Sequence, residues 1–525
     1  MQPSRRQLIA HALAFALVLG TGALVFSQTR SLGLLGMDTY PIILTSKVAS
    51  LADFWGNFSE RLMDGLYPGE FYRPLLNFTF AADYAVWGLE PSGYQLSNAL
   101  WFAASGLAFY LLLVARPAHR SPHSALVGLM VFLWHPLHFE AIPYPPRRPE
   151  LMCLAFMLLA LAAEARVGKK FRVVGALATL LALASKETAL ILPALVFAQQ
   201  LIFSGESGRQ RGLSALRAAV ASTAVVAVYL VARVAVLGGI GGHRQTMTSG
   251  ALAELPQTLG LLVRTLGSPQ QPGRWDAALW WGGLVVVLAV AALVKQRGAS
   301  ELPEEHPSSV LPDLLFGASW IGLLGAMVAA SGRMSPWYLV TVVAGFAFVV
   351  AGLTDEAVRQ IRRRGWIPRV GGVAALLAVL SLSWYWQMRW SPLVRSYQVW
   401  QLATDEYAEL IDRVKTELEA AGDGSVLRIR IPHYKVVQDR DAAMFRGAVL
   451  LGHYSVQAWA GLVMPERKVR VLKHWQHLRA QPAKRNEVVV VLDRAPKPSK
   501  RRRATRKGAG AGKSGADSIE RGGEG

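Results

Sequence analysis

Cys153 is the chain's single cysteine, and it lies inside an apolar run. No disulfide can form within the chain and no cysteine cluster can bind a metal, so thiols say nothing of its compartment. Charge is scarce too: Asp, Glu, Lys and Arg make up 17% of 525 residues, against 52% hydrophobic. That balance excludes an ordinary soluble enzyme and reads as a polytopic membrane protein. No repeat of solenoid period is visible. No clear Ala-x-Ala site follows the first apolar run, so that run reads as an uncleaved span rather than a signal peptide. Acids are outnumbered, 35 against 56 bases, for a net charge of +21. The excess sits in loops and a terminal tail, with no basic motif and stacking aromatics on a soluble domain, so nucleic acid is not an expected partner.

What is present is a series of apolar runs with few charges: 8–26, 96–115, 123–141, 150–165, 171–185, 187–203, 215–237, 277–294, 311–330, 336–353 and 370–387. At roughly 20 residues per crossing they predict about eleven transmembrane helices. The stretch Phe171 to Phe203 reads as a hairpin broken at Ser185-Lys186-Glu187, because two adjacent charges in mid-bilayer are costly. With the N-terminus inside, most loop Lys and Arg fall on the inner side. Arg147, Arg148, Lys186 and Arg333 are the cations of the short outer loops. The expected location is a bacterial inner membrane, with a cytoplasmic N-terminus.

Loops 28–93 and 239–275 and everything after Met388 then face outward. Leu51 to Leu66 is amphipathic, and Pro74 to Trp87 is an apolar segment expected in the interface. The predicted division is a transmembrane domain over 1–388, a small extracytoplasmic α+β domain over 389–495, and a disordered basic tail over 496–525. Within 389–495, Gln398 to Ala420 has helical spacing, and Asp441 to Leu451 is a second candidate helix. Val426 to Ile431, Val469 to Leu472 and Glu487 to Leu492 read as strands.

Three clusters carry chemistry-bearing residues. The first is Phe71-Tyr72-Arg73-Pro74-Leu75, followed by Asp83, Trp87-Gly88 and Pro91-Ser92-Gly93-Tyr94-Gln95-Leu96-Ser97-Asn98. The second is His135-Pro136-Leu137-His138-Phe139-Glu140-Ala141, followed by Arg148-Pro149-Glu150. The third is Ser185-Lys186-Glu187-Thr188-Ala189. Together they resemble GT-C type membrane glycosyltransferases, in particular the protein O-mannosyltransferases and their relatives that carry tetratricopeptide repeats. The family pattern runs Tyr-Arg-Pro-Leu, an acid, Trp-Gly, then Pro-x-Gly-Tyr-His-x-x-Asn. Gln95 stands here where the family has His. The resemblance covers about the first 200 residues; no repeat array follows.

The resemblance implies a GT-C-like fold and an enzyme. It would move a sugar from a polyprenyl-phosphate-linked donor to a protein or envelope-glycan acceptor at the outer face of the bilayer. It also places a catalytic acid shortly after the first span, where Asp38 stands; a solvated loop carboxylate or a helix N-cap before Thr39 is the plainer reading. Asp83 is the second candidate catalytic carboxylate; in an apolar segment it is costly unless partnered, and it pairs with Arg73 or helps shape the site, with snorkelling to the headgroups as the alternative. A leaving phosphate needs cations, preferably a bidentate Arg. Arg73, Arg148, Lys186 and Arg333 are the candidates, with interfacial snorkelling as the alternative. His135, His138, Glu140 and Glu150 are residue types that shape a site or hold a divalent metal ion, the one candidate cofactor, and a capping or buried hydrogen-bonding role is the alternative. The rival function is a transporter or flippase of lipid-linked sugars, which calls for inverted repeats with broken helices at mid-membrane. No such pair is visible.

Overall fold

The computed structural model describes residues 5–35, 38–64, 66, 71–115, 121–166, 168–242, 310–330, 336–362, 366, 369–374, 377, 397–420, 426–430, 436–437, 448–449, 453–467, 469–472 and 487–491. Helix α1 (Arg5–Thr29) opens the chain. Two short helices follow it, α2 (Thr39–Ser46) and α3 (Leu51–Ser59). Ser50 and Asp53 close a reciprocal capping box on α3, which fixes where it starts. Proline at the first turn starts each of α4 (Pro74–Trp87), α5 (Pro91–Val114) and α6 (Pro122–Leu133), where its missing N–H goes unneeded. Helices α7 (Arg148–Glu164), α8 (Lys169–Ser185), α9 (Leu192–Phe203) and α10 (Gly208–Leu237) continue the bundle. After them come α11 (Leu311–Ala330) and α12 (Val343–Arg362).

Five described helices are long and apolar enough to cross a membrane: Gln7–Thr29, Pro91–Val114, Gly208–Leu237, Leu311–Val328 and Trp337–Ile361. The protein is therefore an integral membrane protein. The expected count of about eleven is not reached among the described residues, and the reasons are local. Run 277–294 and most of 370–387 lie outside the described residues. Run 123–141 is interrupted at His135-Pro136, where α6 gives way to a 3-10 turn, Pro136–Glu140. Runs 171–185 and 187–203 separate at Lys186 as expected, but the helices they yield, α8 and α9, have only 17 and 12 residues. Helix α7 is buried on nearly every face, so it is the axis of the bundle rather than a lipid-facing span.

Two hydrophobic cores result. One fills the helix bundle, from Val18 on α1 through Phe102, Phe132, Leu154 and Trp320 to Ala351 on α12. The other joins Leu35, Ile42, Phe80, Tyr94 and Phe139 to Tyr397, Trp400, Tyr407, Val456 and Trp459. The last five belong to residues just before and within helix α13 (Gln398–Ala420) and to helix α14 (His453–Val463). The chain's far end is thus packed onto the loops after α1.

Strands β1 (Val426–Arg430), β4 (Val469–Leu472) and β5 (Glu487–Val491) form a parallel sheet in the order β4-β1-β5. Strands β2 (Val436–Val437) and β3 (Ala448–Val449) form an antiparallel pair. Parallel neighbours require a crossover, and α14 lies on the connection between β1 and β4. The second helix expected over Asp441 to Leu451 is displaced: β3 occupies part of that range and the helix begins at His453. The expected domain limits at 388 and 495, and the tail 496–525, lie outside the described residues.

Candidate active site

Asp38 holds the N-cap position of α2, yet its side chain makes no capping bond. Its carboxylate is turned elsewhere. The Tyr454 hydroxyl, on the first turn of α14, donates to Asp38 Oδ1 at 2.8 Å. The Asp38 backbone N–H donates to the Tyr144 hydroxyl oxygen at 3.0 Å. Burial pushes the Asp38 carboxyl above the usual carboxylate range, and three influences oppose it: the Tyr454 hydrogen bond and the nearby guanidiniums of Arg147 and Arg73. The plain capping reading of Asp38 therefore fails, because an N-cap role requires the side-chain bond that is absent here.

Arg147 belongs to a 3-10 turn, Pro145–Arg147, that enters α7. One of its terminal nitrogens donates to the Glu140 carbonyl at 2.7 Å and to Glu140 Oε2 at 2.9 Å. Its guanidinium lies 3.8 Å from the Trp337 ring centroid, with Tyr144 at 5.3 Å and Trp400 at 5.6 Å. The cation is thus held in one place by aromatic faces and by the Glu140 carboxylate.

Arg73, the residue before α4, forms a bidentate pair with Glu187 at 2.6 and 3.1 Å. Lys186 pairs with Glu150 and lies 4.6 Å from the Tyr338 ring centroid. The break at Lys186 thus sends two adjacent charges to two different partners, which is what lets a charged dipeptide sit inside an apolar bundle.

Asp83 pairs with Arg148, at 2.5 Å, and not with Arg73 as the sequence suggested. Ser97 donates to the other Asp83 oxygen at 2.6 Å, and Arg148 Nε donates to Asn98 Oδ1 at 2.8 Å. Arg148 is 0% exposed. It ties α4, α5 and α7 together, a position suited to holding the fold rather than to meeting a lipid phosphate. Asn98 and Gln95 use their side-chain amides to donate to the carbonyls of Ile142 and Pro143, at 2.9 and 3.1 Å. Gln95 thus supplies a donor at the position where the family pattern has histidine.

The proposed metal group does not assemble. His135 accepts from the Leu137 N–H at 3.2 Å, capping its own 3-10 turn. His138 is buried edge-on between Phe102 and Phe132, ring centroids 5.1 and 5.0 Å away. Glu140 and Glu150 are committed to Arg147 and Lys186. Among the described residues no three His, Cys, Asp or Glu side chains are grouped to hold a metal ion. Arg333 lies outside the described residues.

Tyr144, Trp337, Trp400 and Tyr454 join the site without having been candidates. Arg147 and Glu187 were visible in the sequence, as an outer cation and a motif member, but without a role. Tyr454 had no sequence signal at all.

Comparison with known proteins agrees with the motifs. The chain is 33% identical over 109 residues to Protein O-mannosyl-transferase TMTC3 of Mus musculus, a stretch of 21% of this chain and 11% of that protein. It is 30% identical over 154 residues to Protein O-mannosyl-transferase Tmtc1 of Drosophila melanogaster, 29% of this chain and 17% of that one. Over 159 residues it is 31% identical to Protein O-mannosyl-transferase TMTC2 of Homo sapiens, 30% and 18% of the two chains. The chain resembles protein O-mannosyl-transferases. The matched stretch spans less than a fifth of those three relatives' lengths. No family model matches. Among solved structures, ArnT from Cupriavidus metallidurans bound to undecaprenyl phosphate aligns over 88% of this chain and 89% of its own, at 15% identity and a TM-score of 0.46. The Archaeoglobus fulgidus oligosaccharyltransferase aligns over 86% and 64%, at 12% identity and the same score.

Proposed function

We propose that the chain is a GT-C type membrane glycosyltransferase. It takes a sugar from a polyprenyl-phosphate-linked donor and transfers it to a hydroxyl of a protein or envelope-glycan acceptor at the extracytoplasmic face. One observation carries this reading: the Asp38 carboxylate, released from capping its own helix, and the cation Arg147 meet the same tyrosine, Tyr144, whose hydroxyl accepts from the Asp38 N–H and whose ring centroid lies 5.3 Å from the Arg147 guanidinium. A carboxylate and a guanidinium gathered around one ring suit the two ends of a glycosyl transfer.

Asp38 accepts the proton of the acceptor hydroxyl as that oxygen attacks the anomeric carbon. The bond from that carbon to the phosphate oxygen breaks, and the phosphate leaves with the electron pair. Arg147 stabilises the charge that develops there. A single displacement of this kind inverts the anomeric centre. Among the described residues His135, His138, Glu140 and Glu150 are not gathered as metal ligands.

The test is transfer of label from polyprenyl-phosphate-mannose by the purified protein in lipid nanodiscs, followed as release of polyprenyl phosphate with membrane extract as acceptor. Wild type is expected to turn the donor over, and Asp38→Asn to fail while binding it. Equal turnover by the two proteins would remove Asp38 from the mechanism.

A further inference from the structure

We propose that Tyr454, carried by a helix near the chain's far end, is a positioning residue for Asp38. In this assignment the extracytoplasmic C-terminal segment completes the active site rather than merely accompanying it. The inference rests on the transferase reading above and deepens it.

The geometry begins with the two helices. Asp38 at the head of α2 meets Tyr454 at the head of α14. Leu44, near the end of α2, lies where a Cβ on Gly461 would stand 3.3 Å away. Both contacts advance in the same chain direction, so α2 and α14 run side by side and in parallel. Their close approach at Gly461 depends on a residue with no side chain. Parallel alignment brings both N-termini to the same point. Each presents unsatisfied N–H groups and the positive end of its dipole, which favour a carboxylate.

Tyr454 is 3% exposed, and the residues around it on α14, Ser455, Val456 and Trp459, are buried as well. The tyrosine is therefore held by packing, and its hydroxyl has a fixed aim. Among the described residues, the one side-chain hydrogen bond to the Asp38 carboxyl comes from Tyr454. The other groups that face Asp38 are Tyr144 and Arg147, from the segment entering α7, and Arg73 at the head of α4. Tyr40 of α2 and Tyr407 of α13 stack beside this group with ring centroids 5.9 Å apart. Only Tyr454 fixes which Asp38 oxygen is occupied. The other oxygen, Oδ2, is left for an acceptor proton. A hydroxyl that donates to the ionised carboxylate also favours that form, which is the form a base must have.

The experiment compares wild type, Tyr454→Phe and Asp38→Asn, full length, in lipid nanodiscs. Phenylalanine keeps the ring and removes only the hydroxyl. Infrared pH titration follows the carboxyl band that disappears in Asp38→Asn, and turnover of polyprenyl-phosphate-mannose is measured across pH. Loss of a hydrogen bond to a charged group predicts a titration midpoint raised by about one to two pH units. The acid limb of kcat should move by the same amount, with full rate regained at alkaline pH and KM for the donor unchanged. A midpoint and limb that stay in place overturn the proposal. A merely structural role would instead lower kcat at every pH. Should Tyr454→Phe fold poorly, a fluorinated tyrosine at 454 gives the second test: its more acidic hydroxyl donates more strongly and should lower the midpoint, and no movement overturns the assignment. Sugar transfer by Asp38→Asn would remove Asp38 as the base, and failure of wild type to turn the donor over would overturn the transferase reading itself. The two failures are read on different measurements.

Discussion

The guanidinium of Arg147 lies face-on over the indole of Trp337, 3.8 Å from the ring centroid. Trp337 opens the 25-residue apolar segment Trp337–Ile361, so a late membrane helix fixes a cation that belongs to the loop before α7. In the proposed mechanism the phosphate contact falls to this arginine and not to its neighbour. Arg147→Ala should raise KM for polyprenyl-phosphate-mannose by about tenfold to a hundredfold, the equivalent of one charge-assisted contact. Thermal stability should fall as well, because the Arg147–Glu140 ion pair is lost. Kinetics of the purified variant, paired with a melting curve, check both parts.

Arg148→Ala should differ from it in donor kinetics. Removing one member of the buried Arg148–Asp83 pair leaves an uncompensated carboxylate, at a cost of about 3–5 kcal/mol of stability. The expected result is a large fall in melting temperature or in detergent-soluble yield. Donor KM in whatever folded protein remains should be near that of wild type, and a donor KM raised in a well-folded Arg148→Ala protein would return this residue to the phosphate site.

Asp38→Asn should lower kcat by at least about a hundredfold, the usual contribution of a positioned general base. Because Asp38 does not cap α2, the melting temperature should hold. An amide can still accept the Tyr454 hydroxyl proton, so the packing of α14 on α2 should survive. A collapse in stability would point to a structural role instead.

The pH dependence has a definite sign. Burial raises the Asp38 carboxyl above its ordinary value. A base works only when ionised, so kcat should rise with pH through this elevated value and level off above it. The acid limb is expected above the range of a solvent-exposed aspartate. A limb at the ordinary carboxylate position would mean that another group governs the rate.

Helices α11 and α12 touch backbone to backbone. A Cβ added at Gly345 would stand 3.0 Å from the Gly317 carbonyl and 2.9 Å from the Trp320 ring. Small residues permit such contact between membrane helices. Gly345→Ala should force the pair apart and cost about 1–3 kcal/mol, read as a lower melting temperature in nanodiscs.

Much of the bundle was legible because hydropathy and loop charge report directly on what a bilayer tolerates. Helices α1, α5, α10 and α11 begin and end within a few residues of the apolar runs, except that α10 starts earlier, at Gly208. The break at Lys186 was legible for the same reason. The motif residues were legible as a set, and their partners were not. Arg73, Arg148 and Lys186 looked alike as outer cations, yet each is paired with a different carboxylate. Pairing is decided by how α4, α5 and α7 pack, and a one-dimensional pattern carries no such information. Tyr454 is the extreme case, since nothing local to His453–Val463 marks it as a neighbour of Asp38.

The Asp38–Tyr454 contact joins positions 416 residues apart in the chain. At a synthesis rate of about 5–20 residues per second, roughly 20–80 s pass between the ribosome's making one partner and making the other. The bundle can insert throughout that interval with an aspartate that still lacks its proton donor. On the proposed reading, the downward pull of Tyr454 on the Asp38 titration would then arrive late in biogenesis, after the described helices of the bundle have been made.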